Sequence, residues 1–264
     1  MTSVQVAWPP ALDYALAVVQ GTSRTVGSSL APGVQAWFAS PEQGLSAAIE
    51  SVRGAEETID ALTRLAPSTV TVLASVVSDR ACWAEVTRGG DREPTETWIV
   101  GLTHDAAGTV SRLVWLRAPL APPRDSAEHA PAPHGNESAP APDARPILEG
   151  YLGDLANSRF REAAAHFALD TVYSHPPYAG GTERVLFRGR EALRHGFVTD
   201  RGPSPVRQVI TDLWQRGGRV FVEGVIEGIP DGGTFFSTAE INASGEIARY
   251  VAFYSATRIP RLQT

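Results

Sequence analysis

A cluster of polar side chains between Tyr173 and Glu183, in the sequence YSHPPYAGGTE, has the groups needed to move a proton. The imidazole of His175 titrates near neutral pH, which suits proton abstraction beside a carbonyl or protonation of a leaving group. The hydroxyls of Tyr173 and Tyr178 are donors that suit a developing oxyanion. The sequence therefore predicts acid/base chemistry carried by His175, with Tyr178 as an orienting donor. The alternative is that His175 caps a loop and the tyrosines only pack.

Carboxylates elsewhere in the second half are candidates for the partner of His175. Glu223 lies in the strand-like stretch RVFVEGVIE, and Asp154 lies in the helical stretch PILEGYLGDLAN. Glu240 also has the chemistry of a general base. Alternation along a strand does not reveal which sheet face a residue uses, so the role of Glu240 stays open.

The strands that hold these residues occur twice in the chain. The stretch TFFSTAEINASGEIARYVAFY, Thr234–Tyr254, has an earlier counterpart in TWIVGLTHDAAGTVSRLVWLR, Thr97–Arg117. A constant offset of 137 residues aligns Thr97 with Thr234 and Arg112 with Arg249. Self-similarity of this kind predicts a duplicated structural unit.

The duplication separates structural residues from site candidates. Arg112 matches Arg249, and Glu85 matches Glu223, within WAEV and FVEG. We interpret these charges as structural salt bridges or contacts between the repeats, with catalysis as the alternative. By contrast, residues 36–46, AWFASPEQGLS, match the His175 cluster but contain no His or Tyr. Residues that occur in one half only are the candidates for a site.

Apolar spacing predicts the same order of elements in both halves: two helices, a strand, a short helix and a four-strand antiparallel meander. Because helices and strands are segregated, the fold class is α+β. In the first half the predicted helices cover 11–21, 22–31 and part of 51–65, and the strands cover 33–40, 69–77, 81–88, 95–104 and 109–116. In the second half the helices cover 146–157, 160–168 and 188–197, and the strands cover 170–175, 206–214, 219–227, 233–241 and 247–257.

A segment rich in Pro and Ala separates the two halves. Residues 121–145, APPRDSAEHAPAPHGNESAPAPDAR, show no apolar period and are expected to be a disordered linker. The predicted domains are therefore residues 1–120, a degenerate copy, and residues 146–264, which hold the expected pocket. The first copy is expected to cover the sheet of the second.

The composition excludes several classes of chemistry. All 23 basic residues are Arg, which removes Schiff-base and lysine-dependent phosphate sites. No His or Cys spacing suits a metal, and the single Cys82 is expected to be a core residue, so no cofactor is predicted. The net charge is -6 and no block of basic residues occurs, so we expect no nucleic-acid partner. We see no apolar run that could span a bilayer and no charged-then-apolar leader pattern, so we expect no membrane partner and a cytoplasmic location.

The order of elements, with RGREAL before the meander and SGEIARYVAFY at its end, resembles the SnoaL-like branch of the NTF2-like superfamily. The resemblance covers nearly all of residues 146–258 and, more weakly, residues 11–117. It implies two tandem cystatin-like cones, each with helices packed on a curved, mostly antiparallel sheet around an apolar pocket. Domains of this family usually dimerise through the open face of the sheet. A tandem pair is therefore expected to form an intramolecular pseudo-dimer, and the sequence leaves open whether this pseudo-dimer forms a further homodimer.

The resemblance also implies where a pocket lies. In relatives the strand and loop of His175 rim the pocket mouth, and the helix that carries Tyr151 and Asp154 lines it. The side chains expected to bind substrate are Tyr151, Tyr173, Trp214, Phe221, Thr238, Glu240, Arg249 and Phe253. This chain departs from the family pattern. Where relatives have a catalytic Asp, this chain has Thr238 in the second half and Gly101 in the first, and the position of the companion His falls near Pro230.

Three functions fit the sequence. The first is a cofactor-independent enzyme of the cyclase, isomerase or dehydratase type in secondary metabolism, acting on an apolar small-molecule substrate that bears a carbonyl. The second is a non-catalytic ligand-binding or assembly module, which the missing family Asp and His favour. The third is an epoxide-opening hydrolase or cyclase, which needs two carboxylates in the pocket.

Overall fold

A computed structural model describes residues 30–39, 49–65, 70–78, 80–88, 96–105, 107–117, 141–178, 184–230, 232–255 and 258–260. The predicted helix over residues 11–21 and most of the one over 22–31 lie outside these ranges. Residues 121–140 of the predicted linker also lie outside them. The other predicted elements fall on described residues, apart from a few at their ends.

The described part of the first half contains six strands and one helix. The strands are β1 (Leu30–Ala39), β2 (Ile49–Arg53), β3 (Val70–Val77), β4 (Ala81–Arg88), β5 (Glu96–His104) and β6 (Val110–Arg117), and helix α1 spans Ala55–Leu65. Their order in the sheet is β2-β1-β6-β5-β4-β3. Helix α1 begins as expected, with Glu56 and Glu57 in its first turn, where the helix dipole favours negative charge.

The described part of the second half repeats this design and adds helices. Its strands are β7 (Phe167–His175), β8 (Val185–Arg188), β9 (Arg207–Arg216), β10 (Arg219–Glu227), β11 (Gly233–Ile241) and β12 (Ile247–Ser255). Its helices are α2 (Ala144–Ala156), α3 (Phe160–Ala165) and α4 (Arg190–Gly196), and α4 continues into a π-helical turn, Phe197–Arg201. The sheet order, β8-β7-β12-β11-β10-β9, matches that of the first half.

Each sheet contains the predicted four-strand antiparallel meander, β3 to β6 in the first half and β9 to β12 in the second. The two strands added beside each meander make the sheets mixed. Strands β1 and β6 pair in parallel, as do β7 and β12, and the short strands β2 and β8 add an antiparallel edge to each sheet. Strands of four or five residues are too short to show a clear alternation, and a parallel pairing of distant segments leaves no local pattern. The tandem α+β arrangement predicted from the sequence is confirmed.

One predicted boundary in the second half is wrong. The helix expected over residues 160–168 ends at Ala165, and Phe167 already begins β7. The reason is tertiary: the Ile247 amide donates a hydrogen bond to the His166 carbonyl, and Phe167 pairs with Ile247 across the parallel ladder. This pairing of distant segments overrides the helical spacing of the local sequence.

Each sheet packs one face against its own helices. In the second half that face carries Tyr173 of β7, Val222 of β10 and Tyr250 of β12, which pack with apolar residues of α2 such as Leu148 and Leu152. Because side chains alternate along a strand, the neighbours of these residues point to the opposite face. The two faces of each sheet therefore have separate roles.

The opposite faces of the two sheets meet in a shared aromatic core. Trp83 of the first half lies 5.0 Å from Trp214 and 5.4 Å from Phe236 of the second half, measured between ring centroids. Val251 and Phe253 of β12 belong to the same buried cluster. Burial of large aromatic rings on both sides makes this contact a major source of hydrophobic stabilisation.

Two buried ion pairs cross between the halves at equivalent positions. Arg112 of the first half donates to Glu223 of the second over 3.0 Å, and Arg249 of the second half donates to Glu85 of the first over 2.7 Å. In each pair the arginine and glutamate come from different repeats, and the contacts are reciprocal. This exchange is the pattern of an isologous interface between two copies. It confirms the interpretation of these residues as contacts between the repeats.

Candidate ligand cavity

A cavity of about 340 Å³ opens at one end of the second half. It lies among the end of α2, the end of β7 with the loop that follows, the segment after the π-helical turn, and strands β9 and β12. Its described lining is Leu152, Leu155, Ala156, His175, Pro177, Tyr178, Arg201, Pro203, Ser204, Val206, Gln208 and Tyr254. Apolar walls with a few convergent polar groups are typical of a small-molecule site.

Strand alternation brings the polar groups of the cavity together. Tyr250 and Tyr254 lie four residues apart on β12, so both face the helices. Tyr173 and His175 share the same face of β7, where Tyr173 pairs with Tyr250. The ring of Tyr178 then folds back over His175, with centroids 4.7 Å apart.

His175 is held at both ring nitrogens. Its Nδ1 lies 2.6 Å from the Pro176 carbonyl oxygen, which only accepts, so Nδ1 carries the proton. Its Nε2 lies 2.6 Å from the Tyr254 hydroxyl, which therefore donates to it when the ring is neutral. The amide nitrogen of Gln208 donates in turn to the Tyr254 oxygen. His175, Tyr254 and Gln208 form one oriented chain of polar groups.

Burial keeps this chain uncharged. Desolvation lowers the pKa of His175 to about 3, with the charges of Arg184 and Arg201 adding to the effect and the hydrogen bond to Pro176 opposing it. Desolvation likewise raises the pKa of Tyr254 well above its ordinary value. At neutral pH the imidazole is therefore neutral and the phenol keeps its proton.

A second set of hydroxyls runs inward from the cavity wall. Tyr178 and Tyr173 have hydroxyl oxygens 3.2 Å apart, and those of Tyr173 and Tyr151 are also 3.2 Å apart. Burial raises the pKa of all three phenols, so these groups donate and accept hydrogen bonds without ionising. Tyr151 and Tyr173 support the cavity wall from behind, and Tyr178 lines it directly.

The structure brings two of the predicted catalytic residues to the cavity, His175 and Tyr178. Glu223 is not near them, because its carboxylate lies on the other sheet face, paired with Arg112. Asp154 also lies elsewhere: its carboxylate binds Arg159 and, over 2.9 Å, His166 at the helix ends. The prediction that one of these carboxylates partners His175 is therefore wrong.

Most of the residues predicted to bind substrate also face the first half. Thr238 and Arg249 both bind the Glu85 carboxylate. Phe221, Phe253 and the neighbouring Trp214 belong to the shared aromatic core. Glu240 pairs with Arg249 across β11 and β12 and shares that face. The cause in every case is strand parity, which places these positions opposite to the helix-facing Tyr250 and Tyr254.

Sequence reasoning missed Tyr254, Gln208 and Arg201. A signal existed for Tyr254, since it has the parity of Tyr250 within RYVAFY. No comparable signal marked Arg201, which ends a π-helical turn that interrupts the helical pattern. Its Nη1 donates to the carbonyl oxygens of Leu155, at 3.4 Å, and of Gly202, at 3.1 Å.

Comparison with known proteins finds similarity at the level of solved structures. A protein with a ketosteroid isomerase-like fold from Catenulispora acidiphila, in complex with trimethylamine, is 20% identical with a TM-score of 0.35, over 44% of this chain and 88% of that one. An LEH-like epoxide hydrolase from M. tuberculosis is 20% identical with a TM-score of 0.33, over 47% and 86%. An NTF2-like protein of unknown function from Cytophaga hutchinsonii is 13% identical with a TM-score of 0.34, over 45% and 94%.

Each of these matches spans a little under half of this chain, about the length of one repeat. With identities of 20% or less and TM-scores of 0.35 or less, these matches carry no conclusion about family or activity. No family model matches the chain. No curated protein matches it either.

Two further features concern the described ranges. No helix among them is long and apolar enough to cross a bilayer. No group of three or more His, Cys, Asp or Glu side chains among them is placed to hold a metal ion.

Proposed function

We propose that the second half is a ligand-binding module whose cavity takes an apolar small molecule bearing an oxygen acceptor. The observation that carries this proposal is the oriented, uncharged chain His175–Tyr254–Gln208 at the polar end of a cavity with apolar walls. Tyr254 fixes one amide hydrogen of Gln208, and the second amide hydrogen is a donor for a ligand oxygen. The Ser204 hydroxyl, which accepts from the Val206 amide, supplies another donor.

The composition of the cavity favours binding over acid/base catalysis. None of its described lining residues is a carboxylate. The imidazole, whose pKa is lowered to about 3, is a weak base, and its Nε2 already accepts from Tyr254. The epoxide-opening alternative requires two cavity carboxylates and has no support from these residues.

Binding is tested by calorimetric titration with 2-acetylnaphthalene, a neutral two-ring ketone, and with 2-ethylnaphthalene, which lacks the oxygen. The wild type is expected to prefer the ketone by about 3- to 10-fold, the range of one neutral hydrogen bond. Gln208→Met removes the amide donor and is expected to abolish that preference. Equal affinity of the wild type for both compounds would contradict the proposed polar recognition.

Occupancy of the cavity has its own matched pair of variants. Ala156 lines the cavity at the end of α2, whereas Ala165 is exposed at the end of α3. Ala156→Phe fills the space and is expected to weaken ketone binding by at least about tenfold, because a ring of this size displaces the ligand. Ala165→Phe is the control and is expected to leave affinity unchanged.

Carbonyl-directed catalysis is the second candidate function. The observation that favours it is a hydroxyl donor and an imidazole lone pair in one cavity, on Tyr254 and His175. When a ligand carbonyl replaces Nε2 as the acceptor of the Tyr254 hydroxyl, Tyr254 would polarise that carbonyl and the freed Nε2 of His175 would take the α-proton. Incubation of 2-acetylnaphthalene with the protein in D₂O tests this role by NMR. Protein-dependent deuteration of the methyl group that is lost in Tyr254→Phe supports it, and tight binding without exchange favours the binding module.

We also propose that the two halves act as an intramolecular pseudo-dimer, in which the first half covers the sheet of the second. The reciprocal ion pairs and the shared aromatic core support this arrangement. A fragment of residues 141–264 would expose Phe236, Val251 and Phe253, so it is expected to aggregate or to self-associate through this face. A stable monomeric fragment that binds ligand as the whole chain does would contradict the proposal.

A further inference from the structure

Arg201 places a positive charge at the cavity while no described lining residue supplies a negative one. Within the described part of the chain its side chain donates through Nη1 alone, to the backbone carbonyls of Leu155 and Gly202. No carboxylate among the described residues pairs with it. The planar guanidinium has five N–H donors, so Nε and Nη2 keep donors for a further acceptor.

The position of Arg201 is fixed by the fold. It ends the π-helical turn Phe197–Arg201, and Gly202 follows with a φ of 60°, a left-handed conformation that glycine adopts without strain. The bond from Nη1 to the Leu155 carbonyl ties the guanidinium to the last turn of α2, whose residues also line the cavity. The charge is therefore held in place before any ligand arrives.

The field of Arg201 reaches the polar end of the cavity. Burial dominates the pKa shifts of His175, Tyr178 and Tyr254, and the Arg201 charge contributes a lowering to each of them. The guanidinium is thus close enough to act on a group that contacts Tyr178 or Tyr254. A guanidinium at a partly enclosed apolar site binds a carboxylate through charge-assisted hydrogen bonds, and two-point contact adds geometric specificity.

We propose that the ligand class of this cavity is an amphipathic carboxylic acid, whose apolar body fills the cavity and whose carboxylate binds Arg201. This inference rests on the proposed binding function and narrows it to an anionic ligand. The hydroxyls of Tyr178 and Ser204 are the secondary donors to the carboxylate oxygens, since both groups also line the cavity.

The test compares 2-naphthoate with 2-naphthalenemethanol, which have the same two-ring body and differ in charge. Calorimetric titration of the wild type is expected to show at least about tenfold tighter binding of the acid, because a hydrogen bond to a charged group exceeds a neutral one. Arg201→Gln is expected to abolish this preference and to change alcohol affinity less than about twofold. Arg194→Gln is the charge-matched control, since Arg194 lies on the exposed side of α4 and pairs with Glu191.

The outcomes separate this inference from the function on which it rests. Equal binding of acid and alcohol by the wild type, or an unchanged preference in Arg201→Gln, overturns the anionic ligand class but leaves a binding cavity. Failure of the wild type to bind either compound overturns both proposals. If Arg201→Gln binds neither compound, Arg201→Lys, which keeps the charge, must restore binding with a preference for the acid, and failure to do so overturns the inference.

Discussion

The helix-facing side of the sheet is built differently in the two halves, although the strand order is the same. In the first half β1 and β6 bring Phe38 opposite Trp115, and both rings are buried in an apolar cluster. The offset of 137 residues places His175 and Ala252 at these two positions in the second half. The second half thus has an imidazole where the first has a phenyl ring, and a methyl group where the first has an indole.

The neighbouring pair shows the same trend. Ala36 pairs with Leu113 in the first half, where the second half has Tyr173 paired with Tyr250. The apolar pair fills a core, whereas the tyrosines bring hydroxyls to the interior. By contrast, the face between the halves keeps its Arg and Glu in both copies. The comparison teaches that the two halves share the charged residues of one sheet face and differ on the other face, which is a filled core in the first half and borders a cavity in the second.

Breaking a buried ion pair between the two halves is expected to have the largest effect on stability. Glu85→Gln removes the carboxylate that Arg249 and Thr238 bind, and losing one partner of a buried ion pair typically costs about 3–5 kcal/mol in the free energy of unfolding. Urea denaturation followed by circular dichroism measures the loss. The control is Glu149→Gln, which removes an exposed i,i+4 pair with Arg145 and is expected to cost less than about 0.5 kcal/mol. Equal losses in the two variants would show that the buried pair is not a principal contact.

Acid titration of the same variant sharpens the result. Burial alone would raise the pKa of Glu85, but the charge and hydrogen bonds of Arg249 and the hydrogen bond of Thr238 outweigh it, so the pKa is lowered. A carboxyl with a lowered folded-state pKa stabilises the fold above its ordinary pKa of 4.5, and that contribution disappears as pH falls through the folded value. Glu85→Gln is therefore expected to lose less stability on acidification than the wild type does.

A second difference between the halves concerns Gly101, whose counterpart is Thr238. A Cβ at Gly101 would lie 2.0 Å from the ring of Trp83, which is fixed in the shared core. Gly101→Ala is therefore expected to lower the free energy of unfolding by about 1–3 kcal/mol through overpacking. Gly33→Ala is the control in β1, where nothing lies within 4 Å of the added atom. A neutral result at Gly101 would mean that Trp83 moves aside freely.

Much of the fold could be predicted from the sequence because the strands and helices have recognisable local residue patterns. The strands Ala81–Arg88, Arg219–Glu227 and Gly233–Ile241 have the predicted bounds. The duplication also predicted that Glu85 and Arg249 are contacts between repeats. The parallel closure of each sheet was not predictable, since it joins segments distant in the chain.

The site was predicted only in part, because the sequence does not show which sheet face each strand residue occupies. His175 and Tyr178 were found because they occur in one half only, at the end of a strand and in the loop that follows it. Glu223 was misassigned because its type suits catalysis, whereas its place on β10 faces the other repeat. The type of a residue indicates what chemistry its side chain can do. Which sheet face that side chain occupies on a central strand depends on what packs against each face.

Converting His175 to the residue of the first half tests the cavity directly. His175→Phe keeps a ring against Tyr178 but removes the Nε2 acceptor that orients Tyr254 and, through it, Gln208. Affinity for 2-acetylnaphthalene is expected to fall by about 3- to 10-fold, the worth of one oriented neutral hydrogen bond. The matched control is His195→Phe, on the exposed side of α4. Unchanged affinity in His175→Phe would mean that the chain of polar groups does not orient the ligand.

The same variant has a pH signature. The pKa of His175 is 6.5 in an ordinary environment and about 3 in the fold, where burial disfavours the cation. The unfolded chain therefore takes up a proton first, and stability is lost as pH falls from 6.5 towards 3. Urea denaturation across this window is expected to show a smaller decline for His175→Phe than for the wild type. Parallel declines would show that His175 is not the buried neutral group described above.

The smallest effect is expected for Glu240→Gln, which tests whether every charge between the two halves stabilises the fold. Glu240 lies between opposing influences: burial and the Glu85 charge raise its pKa, and Arg249 and Arg219 lower it, with a net rise. A carboxyl with a raised folded-state pKa weakens the fold as pH rises from its ordinary value of 4.5 through the folded value. Glu240→Gln is therefore expected to raise the free energy of unfolding at neutral pH by less than about 1 kcal/mol.

The pH dependence of this gain distinguishes charge from packing. Well below pH 4.5 Glu240 is protonated in both the folded and the unfolded state, so the difference between Glu240→Gln and the wild type is expected to vanish there. Glu227→Gln, on the exposed end of β10, is the control and is expected to change nothing at either pH. A gain that persists in acid would assign the effect to amide hydrogen bonding. A lower free energy of unfolding at neutral pH would mean that Arg249 is stabilised by the carboxylates of both Glu85 and Glu240. The ion pair of Arg249 would then differ from that of Arg112 with Glu223.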